Sequence, residues 1–262
     1  MAIITTPIPP FPALKDWENL ISFRPPAAIQ FGVNERFSSI VLPNRVCHAI
    51  EDGLGPINLD YYPIRISAMP VSGDRMMTGV ELLEFIRRNL NIFVDSSPDG
   101  AIFNPYDPLI DAPLWLPPFL QSGFIGAVIS IDIVVSIINL EDGSVVLSEI
   151  APDRWIFSTI RTPDDLNHPV SGNRQFGFFP SVAGEFVFYV RGADRLTTFI
   201  DEILGETVFA GANNLWLSFQ RRVAAFVNGN GGLATIESPL SDRYDWLAVQ
   251  ADYFNPTETW IA

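Results

Sequence analysis

Residues 168 to 195 constrain the fold more tightly than any other stretch of this chain. Gln175-Phe176-Gly177-Phe178-Phe179-Pro180 is followed, after Ser181 to Gly184, by Glu185-Phe186-Val187-Phe188-Tyr189-Val190-Arg191. Two runs of aromatic and β-branched residues around a short linker containing Gly predict a β-hairpin. With Ser181 to Gly184 as the loop, Phe179 pairs with Phe186, Phe176 with Tyr189, and Arg174 with Arg191. Like charges facing each other across a ladder repel. The pairing therefore calls for a negative companion, supplied by Asp194 or Glu185 or by an anion from outside. The expectation depends on register, because a slip of one residue sends the two Arg side chains to opposite faces.

The hairpin begins in Pro169-Val170-Ser171-Gly172-Asn173-Arg174, which nearly repeats Pro70-Val71-Ser72-Gly73-Asp74-Arg75. Each copy carries a Pro that fixes φ, side chains able to bond nearby backbone, a Gly free to take positive φ, and an Arg just beyond. The flanks differ. The first copy leads into a helix and the second into a strand, so a recurring turn explains the pair better than a duplication.

With 262 residues, 48% hydrophobic and 18% charged, the chain can bury a substantial core and shows no composition of disorder. It reads as an extended Pro-rich arm over residues 1 to 12, able to reach a neighbouring protein or a second copy, and one globular α+β domain over 13 to 262. The formal net charge of -14 opposes phosphate backbones and anionic lipid, which argues against nucleic-acid binding. Lys15 is the single lysine, so the cationic residues are otherwise arginines, suited to fixed bidentate contacts. Cys47 stands alone and the chain has 2 His, with no CxxC or HExxH, so neither an intrachain disulfide nor a structural zinc site is expected, and no cofactor motif is present. Met1 to Pro12 lacks the basic start and apolar run of a signal peptide. The expected location is the cytoplasm, or outside the cell by a route needing no such peptide. Residues 123 to 140 are the one candidate membrane span, but Asp132 at its centre would cost about 2.5 to 3.5 kcal/mol in lipid. Buried strands are the better reading.

Along the chain, residues 13 to 66 give scattered turn signals and predict short strands and loops. Thr78 followed by Glu81 forms a capping box, and Leu82, Phe85, Ile86, Leu90 and Phe93 recur at helical spacing. Residues 96 to 123 read as a Pro-rich loop whose Tyr106, Trp115 and Phe119 pack onto the sheet in preference to forming a lid. Strands over 124 to 139, 144 to 150 and 155 to 160 predict an antiparallel meander. Leu196 to Leu204 reads as a helix stopped by Gly205. A second helix follows, capped at Asn213 or Asn214, with Trp216, Phe219, Val223 and Val227 inward. Asp245 to Tyr253 closes the series. The sum is an α+β plan, a mostly antiparallel sheet carrying a mid-chain helix and C-terminal helices.

The hairpin gathers the candidate chemistry. His168 is placed to act as a general base oriented by Asp164 or Asp165, while Arg174, Arg191 and Arg195, with Ser171, Tyr189 and Asp194, could hold a small anion or a protein carboxylate. No nucleophile elbow surrounds Ser171 and nothing activates Cys47. A local lock, with Asp194 salt-bridged between Arg191 and Arg195, is the simpler reading of those three.

The string His168-Pro169-Val170-Ser171-Gly172-Asn173-Arg174-Gln175-Phe176-Gly177-Phe178, with Phe188-Tyr189-Val190-Arg191-Gly192-Ala193-Asp194-Arg195, resembles a segment of uncharacterised bacterial proteins, some associated with secreted polymorphic-toxin or effector modules. The resemblance implies a bacterial effector-type or accessory protein and carries over no catalytic residue. Three functions follow from the residues: a binding module with an Arg-lined anion corner, a hydrolase or transferase using His168 and an acidic partner, and a structural protein assembled through its arm.

Overall fold

A computed structural model describes residues 14–37, 46–96, 100–117, 125–134, 142–165, 168–181, 184–197 and 199–253. The Pro-rich arm and Phe119 lie outside the described residues. The chain is built on a nine-stranded antiparallel sheet with helices on both faces. Its strands are β1 (Leu54–Ala68), β4 (Gly100–Pro105), β5 (Val128–Val134), β6 (Gly143–Ala151), β7 (Arg154–Ile160), β8 (Val170–Pro180), β9 (Phe186–Leu196), β10 (Leu233–Ile236) and β11 (Leu240–Tyr244). Their order is β10-β1-β9-β8-β7-β6-β5-β4, with β11 beside β10 along the outer side of β1. The α+β plan and the central meander are as the sequence predicts.

One face carries α3 (Gly79–Arg88) and the 31-residue α5 (Phe199–Gly229) over an apolar cluster rich in aromatics. Alternate residues of β8 and β9 supply it: Phe176 meets Trp216 and Phe219 of α5 edge-on, and Phe178 stacks on Phe188. The opposite face is covered by α1 (Leu14–Ile21), α2 (Ala27–Phe37) and α6 (Trp246–Tyr253), packed on Ile57, Leu59, Ile156 and Ala193 in one patch and on Val128, Val146 and Ile160 in another. No helix of the described residues is long and apolar enough to cross a membrane. Within 123 to 140, residues 128 to 134 form β5, an interior strand of the sheet.

Several expectations are corrected. Residues 13 to 66 hold two helices and a 15-residue strand where short pieces were expected. Pro63 lies within β1, between the stretches paired with β11 and with β10, where its missing N–H interrupts no ladder on that side. Gln220 of α5 donates there to the Pro63 and Glu237 carbonyls at 2.6 and 2.8 Å, filling the gap. Residues 100 to 105 form edge strand β4, and α4 (Ala112–Trp115) buries Trp115 against Phe157 with ring centroids 5.4 Å apart. Trp115 thus packs on the sheet, and Tyr106 packs edge-on against Phe37. Gly205 does not stop a helix and Asn213 does not cap one, since α5 runs through both. An interior Gly costs only about 1 kcal/mol, which burial of the α5 face outweighs.

The two hexapeptides adopt different structures. Val71–Ser72 and Arg75–Met76, here β2 and β3, close a small hairpin over Gly73 at φ +62°. The second copy runs straight into β8. The capping box at Thr78 is present, with Glu81 also paired to Arg75.

Candidate ligand-binding cavity

The hairpin forms, but one residue out of the expected register. Ser181 N–H donates to the Glu185 carbonyl at 2.7 Å, and Gly184 takes φ +76°. The connection therefore has three residues and a left-handed Gly, a common hairpin loop that is shorter by one than Ser181 to Gly184. Phe179 pairs with Val187, Phe176 with Val190, Arg174 with Gly192, and Arg191 with Gln175. Arg174 and Arg191 consequently lie on opposite faces of the sheet, and no two-Arg corner exists.

Arg174 points toward α5. Its Nη1 and Nη2 donate to the two carboxylate oxygens of Asp60 at 2.7 and 2.9 Å, and Nη2 also reaches Asp194 Oδ2 at 3.1 Å. Asn58 donates its amide to both acids, at 3.1 and 3.3 Å. The guanidinium carbon sits 4.5 Å from the Trp216 ring centroid, tying sheet to helix by a cation–π contact. Gly192 makes this possible: a Cβ there would stand 2.2 Å from Arg174 Nη2. Burial raises the Asp194 pKa above the usual carboxylate value, against the pull of Arg174. The expected negative companion is real, but it is Asp60 together with Asp194. Glu185 instead pairs with Arg65 at 3.4 Å.

Beside this network, between the sheet and α5, lies a cavity of about 130 Å³. Its walls are mainly apolar, with Phe103, Ile131, Val145 and Phe157 from the strands and Val208 and Leu215 from α5, while His168 and Arg174 contribute polar groups. His168 is 7% exposed, and its Nδ1 accepts the Val170 N–H at 3.2 Å. Burial, reinforced by the Arg174 charge, lowers its pKa to about 4, so the ring is neutral at pH 7.

The predicted catalytic pairing is absent. Asp165 accepts from the Ser144 and Thr162 hydroxyls at 2.5 and 3.3 Å, and Asp164 accepts the Tyr106 hydroxyl at 2.6 Å. Neither carboxylate orients His168. The other candidates lie on the far face. Arg195 donates to the Ile50 and Gly55 carbonyls at 3.0 Å and lies over Trp246, locking the turn before β1, and the Ser171 hydroxyl sits beside Gly53 of that turn. Tyr189 and Arg191 both donate to Gln175 Oε1, at 3.0 and 2.7 Å. Asp194 does not bridge Arg191 and Arg195. Sequence reasoning missed Asp60 and Asn58, whose alternation with Tyr62 and Ile64 would have placed them on the α5 face had β1 been recognised. It also missed His48, buried beside His168 with neither ring nitrogen bonded among the described residues.

Fold and site together define an α+β protein whose long helix closes a small apolar cavity against an antiparallel sheet, with a neutralised ionic network at its edge. No protein-family model and no curated protein matches the chain. Among solved structures it is similar to the di-domain ARO/CYC StfQ from the steffimycin biosynthetic pathway, at 13% identity and a TM-score of 0.39. The match covers 70% of this chain and 53% of that one, so the chain spans about half the length of StfQ. A likeness at this level assigns no activity.

Proposed function

We propose that the protein is a binding module for a small, uncharged, largely apolar molecule held between α5 and the sheet. The observation that carries this reading is the retained cavity of about 130 Å³ inside an otherwise close-packed aromatic core. Apolar cavities near this volume stay dry and accept molecules the size of benzene. The charge balance argues against the anion expected from the sequence. Two carboxyl groups face one guanidinium, so the network offers a ligand no surplus positive charge. A binding role also fits the engagement of Asp164 and Asp165 away from His168. Association with bacterial effector modules rests on the resemblance of residues 168 to 195 alone.

Titration with toluene, followed by methyl NMR of the intact chain, tests the proposal. Saturable shifts are expected at Val145, Val208 and Leu215. Absence of shifts there, or shifts spread evenly over the protein, would overturn it.

A further inference from the structure

Granting the cavity reading above, we infer that His168 selects ligands carrying a hydrogen-bond acceptor, such as a ketone, by presenting a neutral Nε2–H at the cavity wall. Four observations lead there. First, Nδ1 is committed: it accepts the Val170 N–H at 3.2 Å, so the proton of the neutral ring must sit on Nε2. Second, the ring makes no other side-chain hydrogen bond among the described residues, while being nine-tenths buried and lining the cavity. A ligand acceptor at the wall would give this N–H a partner that the described residues do not supply.

Third, the other polar groups at the wall are already engaged. Thr159 Oγ1 accepts the Gly172 N–H at 3.0 Å and donates to the Gly172 carbonyl at 3.4 Å. Arg174 is divided between Asp60, Asp194 and the Trp216 ring. Fourth, room has been made for the imidazole. A Cβ on Gly143 would fall 2.4 Å from His168 Cδ2 and 2.8 Å from Nε2, so any larger residue there would push the ring away. The chemistry selected is a compact apolar body with one neutral acceptor oxygen; a carboxylate would meet Asp194 at the wall, with Arg174 already engaged.

Toluene, cyclohexanone and benzoate, of similar size, separate the possibilities in NMR titrations of wild type, His168→Leu and His168→Gln. Cyclohexanone is expected to bind wild type and to weaken about five- to tenfold in His168→Leu, the range that loss of one neutral hydrogen bond gives. Toluene should change less than twofold, and His168→Gln, which keeps an N–H, should restore part of the cyclohexanone affinity. If neither toluene nor cyclohexanone shifts the cavity methyls, the cavity reading itself fails. If both bind but His168→Leu leaves cyclohexanone unchanged, or benzoate binds best, the role of His168 fails and the cavity reading stands. Should His168→Leu not fold, long-range ¹⁵N–¹H spectra of wild type decide: cyclohexanone, and not toluene, must move the His168 Nε2 resonance, and no movement overturns the inference.

Discussion

Arg174 shows how one buried side chain can be fixed by its neighbours' lack of bulk as much as by their charge. Flexible ends usually yield to a new methyl group, but this guanidinium is pinned by two carboxylates and a ring. Gly192→Ala should therefore destabilise the protein, seen as a lower thermal midpoint, whereas Gly229→Ala, where no atom lies within 4 Å of the added Cβ, should not. Arg174→Met strands two buried acids and is expected to cost about 3 to 5 kcal/mol in chemical denaturation. Adding Asp60→Asn and Asp194→Asn should recover much of that, and a triple variant no more stable than the single one would refute the account. His168 bears on pH. Its folded pKa of about 4 lies below the 6.5 of an unexposed-to-partner His in the unfolded chain, so its contribution is present above pH 6.5 and is lost as pH falls toward 4. The midpoint of wild type should fall across that window more steeply than that of His168→Leu, with His48 supplying part of the remaining slope.

At the level of elements, both edges of the sheet are closed by the same device. Asn91 exchanges two hydrogen bonds with the backbone of Phe103 on β4, at 2.8 and 2.9 Å, and Asn228 does the same for Ala234 on β10, at 2.7 and 3.1 Å. Each carboxamide occupies the place of a neighbouring strand, which blunts an edge that would otherwise recruit one. Asn228→Ala is expected to lower stability by about 1 to 2 kcal/mol and to raise the tendency to associate, measured by light scattering. What the sequence revealed at this scale was local. The Thr78 and Glu81 cap and the short connection between the strands of 144 to 150 and 155 to 160 need only near neighbours to be read. What escaped was decided at a distance. Pro63 and Gly205 look like interruptions until the gap beside β1 and the burial of α5 are known, and the hairpin register turned on a loop shorter by one residue. That single residue moved Arg191 out of the site, while Asp60 went unseen because β1 was not recognised.

For the molecule as a whole, the cavity between α5 and the sheet sets what can be tested by filling it. Val208→Phe should fill it from the α5 side, raising the thermal midpoint while abolishing the toluene-induced stabilisation. A variant that fills the space yet still gains stability from toluene would place binding elsewhere. The gap at Pro63 has a consequence for how such a space is reached. Because β10 follows directly from α5 and pairs with β1 only beyond Pro63, loosening of this strip is expected to be separable from that of β11. The amide proton of Thr235 should then exchange sooner than that of Asp242, and a bound guest should slow the first alone.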